Sequence, residues 1–212
     1  MTTSPAAATR PIIEAFADLW CPFAYVGLLA AQRVIEELAL PVDLVLRSWP
    51  LELVNGEPLA EAKTHANAVA LRASVAPENF TGIDQWSFPV STLQGLELAA
   101  QATKQHGSLG TALSMALRVA LFEEGRDIGD LSVLQSIAQG FGVTFHEGDI
   151  ELVRADLADG QAHGVKGSPH FFCGELDMFC PTLDLTRDQS GHLQVQLMME
   201  RLRDFMRSCQ TS

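Results

Sequence analysis

Residues 18–27 of the chain read DLWCPFAYVG, and they place a cysteine followed by a proline at the junction of two predicted elements. Residues 11–18, PIIEAFAD, form a mostly apolar run that is typical of a buried β-strand. Beyond Pro22, apolar side chains recur at intervals of three and four residues, which predicts a helix that ends at Pro41. The residues of this apolar stripe are Leu28, Ala31, Ile35 and Leu38. Cys21 therefore lies where a strand ends and a helix begins.

A second strand is predicted over residues 42–49, VDLVLRSW, because apolar and polar residues alternate along most of it. Strand, helix and strand joined by short loops form a βαβ unit, whose two strands run parallel. From residue 59 to residue 163 the strand pattern disappears, and alanine, leucine, glutamate and glutamine predominate. This segment predicts a block of helices, including one that begins at Pro89, one capped by Asp130 and one over about residues 148–163.

Strand character returns in residues 170–180, HFFCGELDMFC, where two short apolar runs flank a polar centre. This pattern predicts a β-hairpin that turns at Glu175 and Leu176. Residues 191–209, GHLQVQLMMERLRDFMRSC, are predicted to close the chain as one helix, because apolar residues recur in them at helical spacing. The apolar residues of that helix are Met198, Leu202, Phe205 and Cys209.

The order of elements is therefore βαβ, a helical block and ββα. Without the block, the remaining elements form a thioredoxin-type sheet with helices on both faces. The sequence thus predicts an α/β, thioredoxin-like fold with a helical domain inserted between its βαβ and ββα halves. We expect a disordered tail in residues 1–10, a thioredoxin-like domain built from residues 11–58 and 164–212, and an inserted helical domain in residues 59–163.

The amino-acid composition and net charge limit which kinds of molecule the chain is expected to bind. The chain has 212 residues and a formal net charge of −12, which argues against nucleic acid and anionic membranes because phosphate groups repel such a surface. No apolar run has the roughly 18 residues of a membrane span, and the first nine residues lack the basic and apolar parts of a secretory signal. We expect a cytoplasmic location with mostly reduced cysteines. The four cysteines, whose spacing predicts no metal site, are Cys21, Cys173, Cys180 and Cys209.

Cys21 opens its predicted helix, and the free N–H groups and positive end of a helix favour a thiolate. We therefore predict a lowered pKa for Cys21 and the highest reactivity of the four thiols. The alternative is a small buried apolar residue. In a thioredoxin-type sheet, the strand after the helical block begins at a cis-proline that faces this helix end, and Pro169 occupies that place. The backbone of Ser168 would then pair with an extended substrate or glutathione, whereas an ordinary trans-proline would only start an edge strand.

Three stretches in this order, DLWCPFAYVG, FEEGRDIGD and GVKGSPHFF, resemble the DsbA-like branch of the thioredoxin superfamily. That branch includes thiol–disulfide oxidoreductases with a C-P-x-C motif, 2-hydroxychromene-2-carboxylate isomerases and kappa-class glutathione transferases. The resemblance implies that Cys21 holds the position of the nucleophilic cysteine and that Pro169 holds that of the cis-proline.

The residues beside Cys21 and Pro169 are the candidates for substrate binding. Trp20 and Phe23 can form an apolar wall, although core packing explains two aromatic rings equally well. His170 can polarise a substrate or lower the pKa of Cys21, or it can be a strand residue with a satisfied hydrogen bond. The full set of predicted substrate-binding residues is Trp20, Pro22, Phe23, Ser168, Pro169 and His170.

Ala24 departs from the C-P-x-C motif, because the oxidoreductases of this branch carry a second cysteine there. The isomerase and transferase branches instead tend to carry serine at the Cys21 position and to lack the second cysteine. A mixed disulfide on Cys21 would then be released by an outside thiol, so glutathione is the expected co-substrate and no tightly bound cofactor is expected. Cys180 is the candidate for an internal resolving thiol, predicted to lie opposite Phe171 on the outer strand and to need movement to reach Cys21.

Three hypotheses about function follow from these residues. The first is a DsbA-like thiol–disulfide oxidoreductase with a single active-site cysteine in its CPFA motif, acting with glutathione or with another small-molecule or protein thiol. The second is a glutathione-dependent isomerase or transferase, in which Cys21 positions the glutathione sulfur. The third is a non-catalytic module that binds an extended peptide beside Pro169. Because related folds often dimerise, a homodimer is a further prediction.

Overall fold

The computed structural model describes residues 10–180, 183–187 and 193–210. The strands are β1 (Ile12–Ala17), β2 (Asp43–Ser48), β3 (His170–Cys173), β4 (Leu176–Phe179), β5 (Leu183–Arg187) and β6 (Leu193–Leu197). The helices are α1 (Pro22–Glu37), α2 (Leu51–Asn55), α3 (Glu61–Ser74), α4 (Leu93–His106), α5 (Leu109–Phe122), α6 (Leu131–Phe141), α7 (Glu151–Ala162) and α8 (Met199–Ser208), with a 3₁₀ turn at Ile83–Gln85. The predicted tail lies outside the described residues except for Arg10, which donates a hydrogen bond to the Val42 carbonyl at 2.8 Å.

The central sheet has the strand order β2-β1-β3-β4. Strands β1 and β2 pair in parallel, as the predicted βαβ unit requires, whereas β3 pairs antiparallel with both β1 and β4. This topology is that of a thioredoxin-like sheet and confirms the predicted α/β fold class. Helices α3 to α7 fill the segment 59–163, in which the structure has no strand. The division of the chain into a tail and two domains stays a prediction.

The two faces of the sheet are covered by different helices. Ile13 and Phe171 belong to the large core that also takes in the buried sides of α1 and α8. Phe16 and Phe172 point the other way and pack with Trp49 against helix α7. Gly160 allows α7 to approach this second face, because a β-carbon at that position would come within 2.8 Å of the Trp49 ring. Because strand side chains alternate between the two faces of the sheet, Ile13 and Phe171 share one face. Helix α1, which begins directly after Cys21, lies on this face.

Two predictions within the helical block have different outcomes. Asp130 caps α6 as predicted, and its Oδ1 accepts a hydrogen bond from Ser132 N at 2.7 Å. The helix predicted to begin at Pro89 begins instead at Leu93. The preceding residue, Thr92, is held outside the helix because its N–H donates to Glu52 and its hydroxyl donates to Asp18.

The prediction of one closing helix over residues 191–209 is wrong in its first part. Strand β6 (Leu193–Leu197) pairs antiparallel with β5, and helix α8 begins only at Met199. The stretch LQVQL alternates apolar and polar residues with a period of two, which is the pattern of a strand. The helical spacing was read from residues beyond this stretch and does not extend into it.

The hairpin of β3 and β4 turns earlier than predicted. Cys173 pairs with Leu176, so that the turn consists of Gly174 and Glu175 rather than Glu175 and Leu176. Gly174 has φ +59°, a left-handed conformation that glycine adopts without steric cost. The earlier position of the turn shifts the register of β4 against β3. Cys180 therefore lies opposite Pro169, not opposite Phe171 as predicted.

Candidate functional site

Cys21 is the N-cap residue of α1, directly before Pro22 at the first helical position. Its backbone is extended, with φ −81° and ψ 108°, and its carbonyl oxygen accepts a hydrogen bond from Tyr25 N at 3.1 Å. Pro22 suits its position, because a helix leaves the N–H group there without a partner in any case. The predicted place of Cys21, after a strand and at the start of a helix, is confirmed.

The thiol of Cys21 lies against the segment that leads into β3. Cys21 Sγ donates a hydrogen bond to the carbonyl oxygen of Ser168 at 3.3 Å, although the two residues are 147 positions apart in the sequence. Ser168 Oγ in turn accepts a hydrogen bond from Asp18 N at 2.9 Å. The Ser168–Pro169 peptide bond is cis, as predicted. The fold thus brings the Cys21–Pro22 motif together with the Ser168–Pro169 motif.

The predicted lowering of the Cys21 pKa is wrong. Only 5% of the residue is exposed, and burial raises the pKa of the thiol because a thiolate would lose its hydration. Backbone N–H groups of Ala24 and Phe23 favour the thiolate, as expected at a helix N-terminus, and the side chain of Ser168 acts in the same direction. The negative charge of Asp18 adds to the effect of burial. The helix terminus acts as predicted, but desolvation outweighs it.

This electrostatic balance predicts how Cys21 reacts at different pH values. Because its pKa is raised in the folded protein, the thiolate should form only at a pH above the ordinary cysteine value of about 8.5. Iodoacetamide labelling of the Cys21 peptide, followed by mass spectrometry across a pH series, should give a midpoint above that value. In urea the midpoint should fall back to it, because burial is lost. A midpoint below about 8.5 in the folded protein would contradict the prediction.

The aromatic residues beside Cys21 differ in what they can contact. Trp20 is fully buried and stacks on Phe88 with ring centroids 5.7 Å apart. Its Nε1 group has no hydrogen-bond partner within the described part of the chain. Pro22 is buried, whereas Phe23 is partly exposed. Phe23 is therefore the aromatic neighbour of Cys21 that a substrate can reach in this conformation, and the substrate-binding roles of all three residues stay predictions.

His170 lies on the sheet face of Phe172, with the two ring centroids 4.3 Å apart. Its Nδ1 accepts a hydrogen bond from Lys166 N at 3.1 Å, and its Nε2 lies 2.8 Å from Asp177 Oδ1. Burial lowers the pKa of His170, although Asp177 acts in the opposite direction. Both ring nitrogens have partners within the protein, which matches the alternative of a satisfied strand histidine. Its predicted role in substrate binding stays a prediction.

Sequence reasoning missed a buried carboxyl group three residues before Cys21. Asp18 is fully buried, and its side chain accepts hydrogen bonds from Leu51 N, Thr92 Oγ1 and Trp20 N. Burial raises its pKa to about 6, and these hydrogen bonds limit the increase. The signal was present in the sequence, because Asp18 stands between apolar residues in AFADLW. A charged residue in such a run is rarely buried without partners.

A buried arginine accompanies this carboxyl group. Arg118 of α5 is fully buried and donates from Nη2 to the backbone carbonyl of Asp18 at 3.0 Å. Its Nη1 donates to the Ser114 carbonyl at 2.9 Å and to Ser114 Oγ at 2.6 Å. Burial lowers the pKa of Arg118 to about 10, and the charges of Asp18 and Cys21 oppose this change. A guanidinium and a carboxyl group therefore lie in the protein interior close to the Cys21 thiol.

The other three cysteines occupy two places. Cys173 and Cys209 are buried, with Cys173 Sγ 3.9 Å from the carbonyl oxygen of Cys209. Cys180 is partly exposed, and its N–H donates to the Pro169 carbonyl at 2.9 Å.

Among the described residues, no group of three or more His, Cys, Asp or Glu side chains could hold a metal ion. No helix in that part of the chain is long and apolar enough to cross a membrane.

A family model described as DSBA-like thioredoxin domain matches residues 12–187. The chain belongs to the DSBA-like thioredoxin domain family. This family is one of thiol–disulfide oxidoreductases, so the prediction of an oxidoreductase is confirmed at the level of the family. No curated protein matched the sequence.

Solved structures agree with the DSBA-like fold. The cytosolic disulfide reductase DsbM from Pseudomonas aeruginosa is 20% identical, with a TM-score of 0.52. The match covers 93% of this chain and 97% of DsbM. DsbM has also been solved with GSH. A probable DsbA oxidoreductase from Streptomyces coelicolor is 19% identical, with a TM-score of 0.62 over 95% of this chain and 89% of that one. A 2-hydroxychromene-2-carboxylate isomerase is 14% identical, with a TM-score of 0.56. The match covers 79% of this chain and 88% of the isomerase. At these identities the similarity establishes the fold alone.

Proposed function

We propose that this DSBA-like protein exchanges disulfides with glutathione in the cytoplasm, through Cys21 as the single cysteine of its CPFA motif. The observation that carries the proposal is the 3.3 Å contact between Cys21 Sγ and the Ser168 carbonyl, beside Pro169. It places a thiol at a helix N-terminus and next to a backbone segment that an extended thiol substrate can pair with. Glutathione in the DsbM structure is consistent with such a substrate in a protein of this fold.

The chemical step is thiol–disulfide exchange. The Cys21 thiolate attacks one sulfur of oxidised glutathione, a bond forms between Cys21 Sγ and that sulfur, and the other glutathione leaves as a thiolate that takes up a proton. The N–H groups of Phe23 and Ala24 stabilise the attacking thiolate once it has formed. In the free protein Cys21 Sγ is hydrogen-bonded to the Ser168 carbonyl. The backbone of glutathione has to replace this contact when it binds.

The proposal is tested by mapping which thiol is oxidised first. The protein is incubated with oxidised glutathione at pH 8.5, free thiols are blocked, and peptides are analysed by mass spectrometry. Cys21 should lose its free thiol before Cys173 and Cys209, which are buried in the core and serve as internal controls. If Cys21 stays reduced while the folded protein is fully exposed to oxidised glutathione, exchange through Cys21 is ruled out.

A glutathione-dependent isomerase or transferase is the second candidate, and the protonation state of Cys21 favours it. Because burial raises the pKa of this thiol, Cys21 stays protonated at neutral pH. A protonated thiol can donate a hydrogen bond to the thiolate of a bound glutathione, whereas a thiolate cannot. In this case Cys21 would orient glutathione for attack on a small substrate and would not form a covalent bond itself. Replacement of Cys21 by serine separates the two candidates.

A further inference from the structure

We propose that Cys180 is the second thiol of this site and resolves the mixed disulfide on Cys21. Ala24 removes the resolving cysteine from its usual place in the helix, and the structure offers another thiol from the hairpin of β3 and β4. This inference rests on the proposed exchange with glutathione, and it replaces the outside thiol expected from the sequence by an internal one.

Both cysteines are held against the same short segment of backbone. Cys21 Sγ contacts the carbonyl oxygen of Ser168 at 3.3 Å, and Cys180 N donates to the carbonyl oxygen of Pro169 at 2.9 Å. Ser168 and Pro169 are consecutive residues. The thiol of Cys21 and the backbone N–H of Cys180 are therefore hydrogen-bonded to neighbouring carbonyl groups. The two-residue turn at Gly174 and Glu175 creates this register. The turn expected from the sequence, at Glu175 and Leu176, would have placed Cys180 beside Phe171.

The remaining cysteines are unsuited to this role. Cys173 pairs with Leu176 next to the hairpin turn, at the end of β3 away from Pro169, and lies with Cys209 in the core. Cys180 is the only one of the three at the Pro169 end of the hairpin, and its side chain is partly exposed. It can therefore meet a disulfide that forms on Cys21 without unfolding of the core.

The backbone of Cys180 supports a specific use of this residue. Its φ is +44°, in the left-handed region where a residue with a β-carbon is strained and glycine is favoured. The chain nevertheless has a cysteine at this position. Strained residues of this kind occur preferentially at functional sites.

Charge couples the two thiols. Burial raises the pKa of Cys180 to about 11, the negative charge of Cys21 contributes to the increase, and Arg201 acts against it. The two thiols therefore lie close enough for a charge on one to raise the pKa of the other.

The proposed step is balanced without a further reactant. The Cys180 thiolate attacks Cys21 Sγ in the mixed disulfide, the bond between Cys21 and glutathione breaks, and glutathione leaves as a thiolate that takes up a proton. Two protein thiols are oxidised to one disulfide, and one oxidised glutathione is reduced to two glutathione molecules. In the opposite direction, reduced glutathione reopens the Cys21–Cys180 bond.

The test is disulfide mapping of the protein and of Cys180→Ser after addition of oxidised glutathione. Cleavage at Lys166, Glu175 and Arg187 separates the peptide of Cys180 from that of Cys173. The native protein should yield a Cys21–Cys180 linked peptide, and Cys180→Ser should accumulate Cys21 bound to glutathione. An internal thiol acts at an effective concentration on the order of 1 mM, so with about 0.1 mM reduced glutathione the mixed disulfide should last about tenfold longer in the variant. Cys173→Ala, in the same hairpin, should behave like the native protein.

The outcomes separate this inference from the proposed function. A mixed disulfide on Cys21 that lasts equally long in both proteins, with no Cys21–Cys180 peptide, overturns the role of Cys180 and leaves exchange with glutathione intact. A Cys21 that never reacts with oxidised glutathione overturns the proposed function and the inference together. The linked peptide from the native protein alone is sufficient evidence for the bond, so the test does not depend on the folding of Cys180→Ser.

Discussion

Cys21→Ser is expected to abolish glutathione-dependent disulfide exchange, leaving only the rate of the uncatalysed reaction. The substitution replaces sulfur by oxygen at the residue that forms the covalent bond, and serine cannot form a disulfide. Covalent catalysis is therefore lost completely rather than weakened. Serine can still donate a hydrogen bond to the Ser168 carbonyl, as Cys21 Sγ does, so the fold should be retained. Reduction of a glutathione mixed disulfide, followed in a coupled assay, measures the effect.

The same variant has the opposite outcome if Cys21 only orients glutathione. A hydroxyl is a better hydrogen-bond donor than a thiol, so a glutathione-dependent isomerase or transferase should keep or gain activity with serine at this position. Cys209→Ala serves as the control, because it removes a buried thiol outside the site and should leave exchange unchanged. A Cys21→Ser protein that still turns over a glutathione-dependent substrate at the native rate would favour the second candidate over the first.

The fold could be predicted from the sequence because its main signals are local. The apolar run before Asp18 and the apolar stripe after Pro22 predict a strand and a helix, and the short joints between elements determine that β1 and β2 are parallel. The cis-proline at Pro169 was inferred from this topology together with its position in the chain. The closing helix is shorter than predicted, because LQVQL alternates with the period of a strand and the helical spacing begins only after it.

The properties of the site depend on tertiary structure and could be predicted only in part. A helix N-terminus favours a thiolate on Cys21, but the burial of this thiol depends on residues distant in the chain and cannot be read from local sequence. The place of Cys180 depends on which two residues form the hairpin turn, which composition does not determine. A one-step change in a hairpin register moves every residue of a strand against its neighbour.

The two buried charged residues, Asp18 and Arg118, were missed for a related reason. Asp18 and Arg118 are 100 positions apart in the sequence and meet only because α5 packs behind the start of α1. Each stands out only as a charged residue in an apolar stretch, AFADLW for one and LSMALRVALF for the other. Two such residues of opposite charge can be expected to pair in the interior, since an isolated buried charge is costly.

Arg118→Met is expected to lower the free energy of unfolding by about 2–6 kcal/mol at pH 8, because two buried carbonyl groups lose their donor at about 1–3 kcal/mol each. Methionine fills a similar volume, but the Asp18 and Ser114 carbonyl groups lose their donors and the Asp18 carboxylate loses a nearby positive charge. Urea unfolding followed by circular dichroism measures the loss. Arg126→Met is the control, because this partly exposed arginine forms an ion pair only with Glu124 among the described residues. Its replacement should cost less than about 1 kcal/mol.

The cost of Arg118→Met should also depend on pH. The pKa of Asp18 in the folded protein, about 6, already lies above its ordinary value of 3.8, so the folded state holds the proton more tightly and loses stability as the pH rises between these values. Without Arg118 the folded pKa moves higher still, and the variant goes on losing stability above pH 6 after the native protein has stopped. The difference between the two proteins should therefore be larger at pH 8 than at pH 5. A difference that is the same at both pH values would show that Asp18 and Arg118 are not electrostatically coupled, and a loss no greater than that of Arg126→Met would show that the guanidinium is dispensable.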